Sequence, residues 1–307
     1  MNSRDDRAEL RWGVDAAALH PDLQQVAPEG YFRRCAFVRS ELKARLARYL
    51  DLEHDLFLLS NTSHALVTAI AGLLHNGLLL DTTTSGYSPY AELPSSLEAR
   101  KAARRVPLLT HADPTTGQVI ELPRRTEFPT VLDAAQSFGT IRHHGKVTLA
   151  DIFICPLHKH VGVSTGLGLI GIKPGLQLPS LRAHAKAAEM GAASLMVLEA
   201  ALLRVDEHQG RIVNVLTFDP DDAFREVLSE HGVSVLTPNG AGLPFVCLRG
   251  SFPDHLIDAC AIHELSVKRF TSEGVVRISG ALRGTLVSAP TDRRDQLLAA
   301  LTTTFRS

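Results

Sequence analysis

The chain has 307 residues, of which 45% are hydrophobic and 21% are charged, and its formal net charge is -1. This length and composition are typical of a globular protein with one large domain and one small domain. The balanced charge and the lack of a long basic run argue against nucleic-acid binding. No apolar run approaches the roughly 20 residues that a membrane-spanning helix needs, and the charged N-terminal stretch lacks the apolar core of a signal peptide.

The four cysteines are scattered along the chain, without the paired spacing of a metal-binding or redox motif. Two of them, Cys155 and Cys247, fall in apolar runs that resemble strands. Such cysteines are typical of reduced, buried thiols, so we expect a cytoplasmic protein.

Strands and helices are predicted to alternate over the first two thirds of the chain. A loop at residues 21–30 ends the N-terminal segment, residues 1–30. The elements then predicted are a helix at 31–50, strands at 56–59 and 78–80, helices at 65–74 and 93–105, and strands at 106–110, 130–132, 152–155 and 167–172. One long helix is expected at 181–209, with a weak point at Gly191. From residue 210 onward, short strands and amphipathic helices predict a separate α+β module.

A polar turn, Ser60–His64, stands between a predicted strand and a predicted helix. The first backbone N–H groups of a helix are unpaired and the helix dipole favours negative charge, so this turn is a candidate anion site. Ordinary N-capping of the helix by Ser60 or Thr62 is the alternative interpretation.

Polar groups follow the two central strands at the point where each strand ends. Asp133 and Gln136 follow the first strand, and His158 and Lys159 follow the second. Ligands of open α/β sheets bind outside the carboxyl ends of the strands. We therefore expect an acid, an amide, an imidazole and an amine at one rim.

This set of groups suits pyridoxal phosphate (PLP), which needs an amine for a Schiff base and a carboxylate beside its ring nitrogen. Lys159 would supply the amine, and Asp133 would keep the ring nitrogen protonated. Gln136 would donate to the ring hydroxylate, and His158 would lie beside the cofactor. The plainer alternatives are a helix-capping role for Asp133 and a solvated surface position for Lys159.

The motifs DAAQSFG (133–139), AD (150–151), HK (158–159) and TGLG (165–168) follow one another in order. This series resembles the class V aminotransferase group of fold-type I PLP enzymes, which includes cysteine desulfurases, kynureninase and isopenicillin N epimerase. The resemblance implies a large α/β domain (31–209), with a mostly parallel sheet between helices in three layers. A small C-terminal α+β domain (210–307) would follow.

The resemblance also implies further contacts with the cofactor. Thr62 and Ser63 match the ligands of its phosphate, with Asn61 close by. Tyr87 matches an aromatic residue stacked on the pyridine ring; Tyr90 is the second candidate, and loop packing is the alternative role. Thr165 matches a hydroxyl that reaches the cofactor of a neighbouring subunit, which implies a homodimer.

Arg277, within the motif VRIS (276–279), matches an arginine that holds the substrate carboxylate. A planar guanidinium can pair with a carboxylate through two hydrogen bonds. Arg269 and Arg283 are alternates, and a surface salt bridge is the plain alternative. The segment HADPTT (111–116) resembles a family segment that borders the substrate, which makes its His111 a candidate neighbour, together with the other polar residues Asp113 and Thr115.

The chain departs from the family pattern at two places. Residues 118–130 are short for a parallel crossover, which needs about a dozen residues or more, so a minimal or irregular connection is expected. Pro156 and Leu157 stand where relatives often carry a hydroxyl that contacts the phosphate. His143 and His144 are expected to be solvated loop residues, and no metal site is predicted.

An amino-acid aminotransferase is the leading functional hypothesis. A lyase catalysing β-elimination or C–S cleavage, or an epimerase, is the alternative on the same scaffold. A protein that binds PLP without turnover is the third hypothesis. A persulfide-forming desulfurase is disfavoured, because residues 267–276 contain no cysteine and Cys260 falls in a predicted helix.

Overall fold

The structure is a computed structural model. It describes residues 28–82, 104–123, 128–140, 142–163, 166–208, 216–280 and 291–306. No helix within these residues is long and apolar enough to cross a membrane. All four cysteines are buried and free.

Six strands form the first sheet of the described structure. They are β1 (Asp55–Leu59), β2 (Leu78–Asp81), β3 (Arg104–Thr110), β4 (Val131–Asp133), β5 (Ile152–Cys155) and β6 (Gly168–Ile172). Their order in the sheet is β1-β6-β5-β4-β3-β2. The strands β2 to β5 pair in parallel, and β6 is antiparallel to both of its neighbours. The predicted mostly parallel sheet is confirmed.

Helices cover both faces of this sheet. They are α1 (Pro28–Tyr49), α2 (Thr62–His75), α3 (His144–Val147), α4 (Leu157–Val161), α5 (Pro179–Glu189) and α6 (Leu195–His208). Alternate residues of β5 enter opposite cores: Phe153 joins the cluster under α1 and α6, whereas Ile152 and Ile154 join the cluster under α2 and α5. Strands buried on both faces explain the uninterrupted apolar runs of the sequence.

A second sheet follows in the C-terminal part. It contains β8 (Ser234–Val235), β9 (Phe245–Arg249), β10 (Leu265–Phe270) and β11 (Val275–Gly280), all antiparallel in the order β10-β11-β9-β8. The helices α7 (Asp222–Glu230), α8 (Leu256–Ile262) and α9 (Arg294–Arg306) accompany it, with a short parallel pair, β7 (Leu216–Thr217) and β12 (Thr291–Asp292).

The two faces of the second sheet have different chemistry. Val276 and Ile278 point into an apolar core with residues of α7, α8 and α9. Arg277 and Ser279 alternate with them and line cavities beside Lys159 instead. The alternation of the sequence VRIS thus separates a structural face from a face that can meet a ligand.

Several predicted boundaries were wrong. The first helix begins at Pro28, inside the predicted loop, and Arg104 and Arg105 belong to β3 rather than to a helix; residues 83–103 lie outside the described part. The long helix is two helices, α5 and α6, which are separated by a segment that includes Gly191. The described parts of 118–130 contain no helix, only an isolated bridge from Ala112 to Val119.

Candidate functional site

The carboxyl ends of three parallel strands meet at one rim of the first sheet. Thr110 at the end of β3 is opposite Asp133 at the end of β4, and Asp133 is opposite Ile154 of β5. The chain leaves β5 through Pro156 into α4, which carries Lys159. Parallel pairing therefore brings Asp133 and Lys159 to the same edge, as expected from the sequence.

A cavity of about 240 Å³ opens at this rim. Its lining comes from the α2 turn, the strand ends, α4 and the second sheet: Asn61, Thr62, Ser63, Thr110, Ala112, Pro114, Asp133, Ala135, Gln136, Pro156, His158, Lys159, Lys268 and Arg277. Eight of the ten residues that the sequence assigned to the site are in this set. The other two, Tyr87 and Thr165, lie outside the described residues, as do the alternates Tyr90 and Arg283.

The Lys159 side chain has a large accessible surface, because it lines the open cavity. Protein nevertheless surrounds the residue on most sides. Burial, together with the nearby cations of Arg277 and Lys268, lowers the pKa of its amine to about 8, against the opposing effect of Asp133. A lysine in solution has a pKa near 10.4. Lys159 is therefore much readier to act as a neutral amine than a surface lysine.

Asp133 is only 4% exposed, and its Oδ1 accepts a hydrogen bond of 2.9 Å from the backbone N–H of Ala135. Residues 135–139 form turns rather than a helix. The helix-capping interpretation of Asp133 is therefore wrong. The carboxylate is held by a turn at the wall of the cavity.

His158 has a fixed ring orientation. Its Nδ1–H donates to the carbonyl of Leu167 at 2.9 Å, and its backbone N–H donates to the same oxygen. Burial lowers the pKa of the imidazole, which favours the neutral ring. With the proton on Nδ1, the neutral ring leaves the Nε2 lone pair available.

The N-terminus of α2 lines the cavity through Asn61, Thr62 and Ser63. Asn61 is the N-cap residue: its side-chain oxygen accepts from the backbone N–H of His64 at 2.8 Å. Capping by Ser60 or Thr62 is therefore wrong, and the Ser60 hydroxyl instead contacts His64 Nδ1 at 2.9 Å. Thr62 and Ser63 open the helix, where backbone N–H groups have no partner within the helix.

Arg277 reaches the cavity from β11. Its guanidinium carbon lies 5.4 Å from the ring centre of Phe245 and 5.7 Å from that of Phe270, distances that allow attraction between the cation and both rings. Arg269 is instead hydrogen-bonded to the Pro253 carbonyl at 2.7 Å and pairs with Asp254. Of the two described candidates, only Arg277 lines the cavity.

Lys268 is a cavity residue that was not predicted from the sequence. This residue lies on β10 directly opposite Arg277 on β11, and it lines the same cavity. The sequence SVKRF (266–270) indicates that one of its two cations faces the site, because successive side chains of a strand point to opposite faces. Which of the two, Lys268 or Arg269, faces the cavity depends on the register of the β10–β11 pair.

A second cavity, of about 280 Å³, adjoins the first and shares Ala135, Gln136, His158, Lys159 and Arg277 with it. Its additional lining is Gly162, Val163, Pro244, Phe245, Ser266, Ser279, Gly280 and His160. Both ring nitrogens of His160 are buried without a hydrogen-bond partner, and burial lowers its pKa to about 3. The lowered pKa keeps the His160 ring neutral, so this residue adds no charge to the second cavity.

The segment from His111 to Thr115 has largely structural contacts. His111 is fully buried, its Nδ1 contacts the Ser137 hydroxyl at 2.8 Å, and burial lowers its pKa to about 4. Asp113 accepts hydrogen bonds from the backbone of Thr115 and Thr116 and from the Thr115 hydroxyl. None of these side chains is in the lining of the two cavities.

The prediction that His143 and His144 are solvated was wrong. His143 is 7% exposed and its Nε2 contacts the Ala241 carbonyl at 2.7 Å. His144 is half-buried, and its Nε2 contacts the Leu50 carbonyl at 2.8 Å. In the part of the chain that the structure describes, no group of three or more His, Cys, Asp or Glu residues could hold a metal ion.

Comparison with solved structures shows the same fold at low sequence identity. An aspartate aminotransferase of subgroup IV from Thermus thermophilus is 14% identical, with a TM-score of 0.59 over 96% of this chain and 95% of that one. A phosphoserine aminotransferase from Cytophaga hutchinsonii is 11% identical, with a TM-score of 0.61 over 88% and 89%. A serine palmitoyltransferase from S. paucimobilis, with PLP and myriocin bound, is 12% identical, with a TM-score of 0.54 over 88% and 78%.

These likenesses confirm the predicted α/β fold of fold-type I PLP enzymes. No curated protein matches the sequence. One family model covers nearly the whole chain, residues 14–307, and its description is "Family of unknown function (DUF6024)". The chain therefore belongs to the DUF6024 family.

Proposed function

We propose that this chain binds PLP through Lys159 and acts on the Cα of an amino acid, as an aminotransferase related to the class V group. One observation carries the proposal: Lys159, with a pKa of about 8, shares a single cavity with Asp133 and with the N-terminus of α2. The cavity thus combines an amine that is easily deprotonated, a buried carboxylate and a set of anion-binding backbone donors.

These residues fit the chemical groups of PLP. Backbone N–H groups and hydroxyls of Thr62 and Ser63 suit the phosphate, with Asn61 holding the turn. Lys159 would bind the aldehyde carbon. Asp133 would hold a proton on the ring nitrogen, and Gln136 would donate to the ring oxygen. When bound, PLP supplies an electron sink for the bond broken at the substrate Cα.

The remaining residues would orient the substrate and move protons. Arg277 would pair with the α-carboxylate through its planar guanidinium. When neutral, the Lys159 amine would serve as the base that takes the proton from the substrate Cα, and the ammonium so formed would serve as the acid that gives the proton back; its lowered pKa favours both roles. His158 would pack beside the ring in a fixed orientation, because the Leu167 carbonyl holds its Nδ1–H.

Thiol chemistry has little support. No cysteine occurs among the described residues that line either cavity. Burial raises the pKa of Cys247 to about 12, and it raises the pKa of the fully buried Cys155 as well. A persulfide-forming desulfurase needs a reactive thiolate, so this mechanism is not part of the proposal.

The test is incubation of the PLP-loaded protein with single amino acids and 2-oxoglutarate. Formation of glutamate, absent with Lys159→Ala, supports an aminotransferase. Pyruvate or ammonia without glutamate would assign a lyase to the same scaffold and contradict the aminotransferase. A failure to take up PLP would overturn the whole proposal. The homodimer stays a prediction, because Thr165 lies outside the described residues.

A further inference from the structure

Two cations lie side by side on the face of the second sheet that borders the site. Lys268 of β10 and Arg277 of β11 are direct partners across the antiparallel pair. The next pair on this face is Ser266 with Ser279, and both serines line the adjoining cavity. The face therefore presents two cations and two hydroxyls toward the space around Lys159.

Like charges directly opposite each other destabilise a sheet. Here the two side chains also share one aromatic neighbour: the Phe270 ring centre lies 5.0 Å from Lys268 Nζ and 5.7 Å from the Arg277 guanidinium carbon. Burial and the charge of Arg277 lower the pKa of Lys268. Two like charges held side by side cost stability, and a ligand that brings negative charge to them would offset that cost.

The charge balance of the cavity supports a ligand with more than one anionic group. Among its described lining residues, Lys159, Lys268 and Arg277 are basic, and Asp133 is the one carboxylic acid. None of the ion pairs found among the described residues involves Lys268, whereas its neighbour Arg269 pairs with Asp254 on the other face. Lys268 is therefore available for a ligand.

We propose that Lys268 is a specificity residue: it binds an anionic group on the side chain of an amino-acid substrate whose α-carboxylate is held by Arg277. The substrate class is then amino acids with a carboxylate or phosphate on the side chain. This inference rests on the proposed function. The anion-binding N-terminus of α2 remains for the cofactor phosphate, so the two roles can be separated by experiment.

The experiment begins with PLP uptake by the wild type, Lys268→Met, Lys268→Arg and the control Lys186→Met, which removes an exposed lysine of α5. Each loaded protein is titrated with glutamate, glutamine, aspartate, asparagine and O-phosphoserine, and the dissociation constant is read from the change in PLP absorbance. Glutamate and glutamine have nearly the same shape, and so do aspartate and asparagine. The ratio of the two dissociation constants in each pair therefore reports the effect of the side-chain charge.

The wild type and Lys186→Met should bind at least one anionic amino acid about tenfold or more tightly than a neutral counterpart, as expected for a charge-assisted hydrogen bond. Lys268→Met should lose this preference and Lys268→Arg should keep most of it, with PLP affinity unchanged in both. Comparing the affinities for glutamate and aspartate with that for O-phosphoserine shows whether the substrate carries a carboxylate or a phosphate on its side chain.

The inference would be overturned if the wild type bound the amides as tightly as the acids. It would also be overturned if Lys268→Met lost the same factor of affinity for every amino acid tested. A marked fall in PLP affinity in Lys268→Met would also overturn it, by placing the residue at the cofactor phosphate. Absence of PLP uptake by the wild type would instead refute the proposed function, before any amino acid is added.

Discussion

Gly168 of β6 packs directly against the backbone of Asn61: a Cβ at residue 168 would lie 2.5 Å from both the carbonyl carbon and the carbonyl oxygen of Asn61. The first residue of one strand thus supports the turn that opens α2. A side chain cannot fit there unless the turn moves.

We expect Gly168→Ala to displace the α2 turn, because backbone atoms cannot rotate away as a side chain can. The variant should be destabilised by about 1–3 kcal/mol and should bind PLP more weakly than the wild type. Denaturant unfolding and PLP titration measure the two effects. The matched control is Gly175→Ala, since a Cβ at residue 175 meets nothing within 4 Å; equal behaviour of the two variants would contradict the role of Gly168.

Asp133→Asn should keep the cofactor and lose most of the activity. The amide has nearly the same shape, yet it cannot hold a proton on the ring nitrogen by charge. We expect PLP affinity within a few-fold of the wild type and a loss in kcat of about a hundredfold or more, the scale found when one preorganised electrostatic contact is removed. Steady-state kinetics at saturating PLP measure kcat. An unchanged kcat would show that Asp133 does not interact with the ring nitrogen.

The reactivity of Lys159 should depend on pH near its lowered pKa. Only the neutral amine attacks an aldehyde, so the initial rate of PLP uptake should rise as pH increases through about 8 and then level off. Arg277→Met removes a cation that lowers this pKa, so its midpoint should move upward, toward that of an ordinary lysine. Stopped-flow absorbance from about pH 6 to about pH 10 covers both titrations.

The same PLP solution is used for both proteins in that comparison, so ionisation of the cofactor affects them alike. A midpoint near that of a free lysine in the wild type would contradict the lowered pKa. An identical midpoint in Arg277→Met would show that the guanidinium does not influence Lys159.

The rim chemistry was predictable because buried parallel strands leave a clear signal. Runs such as Ile152–Cys155 are apolar throughout, and the residues that follow them must lie at the ligand-binding edge. Asp133, His158 and Lys159 could therefore be brought together from sequence alone. Their roles toward a cofactor stay predictions, since the fold by itself assigns no chemistry.

The errors concern contacts between distant parts of the chain. His143 is buried and contacts the Ala241 carbonyl, 98 residues away in the sequence. The neighbouring residues of His143 are polar and typical of a loop, so the local sequence wrongly predicted an exposed side chain. Lys268 was missed because the pairing of β10 with β11, rather than composition, decides which of two adjacent cations faces the site. Local patterns carry no information about either contact.

The most direct test of the central claim is to identify the residue that binds the cofactor. The purified protein is incubated with PLP, and an absorbance band at about 410–430 nm is expected. Reduction with borohydride then fixes the bond, and peptide mass spectrometry locates it. We predict a pyridoxyl group on Lys159 and none in Lys159→Ala. A label on another lysine, or a wild type that takes up no PLP, would contradict this account.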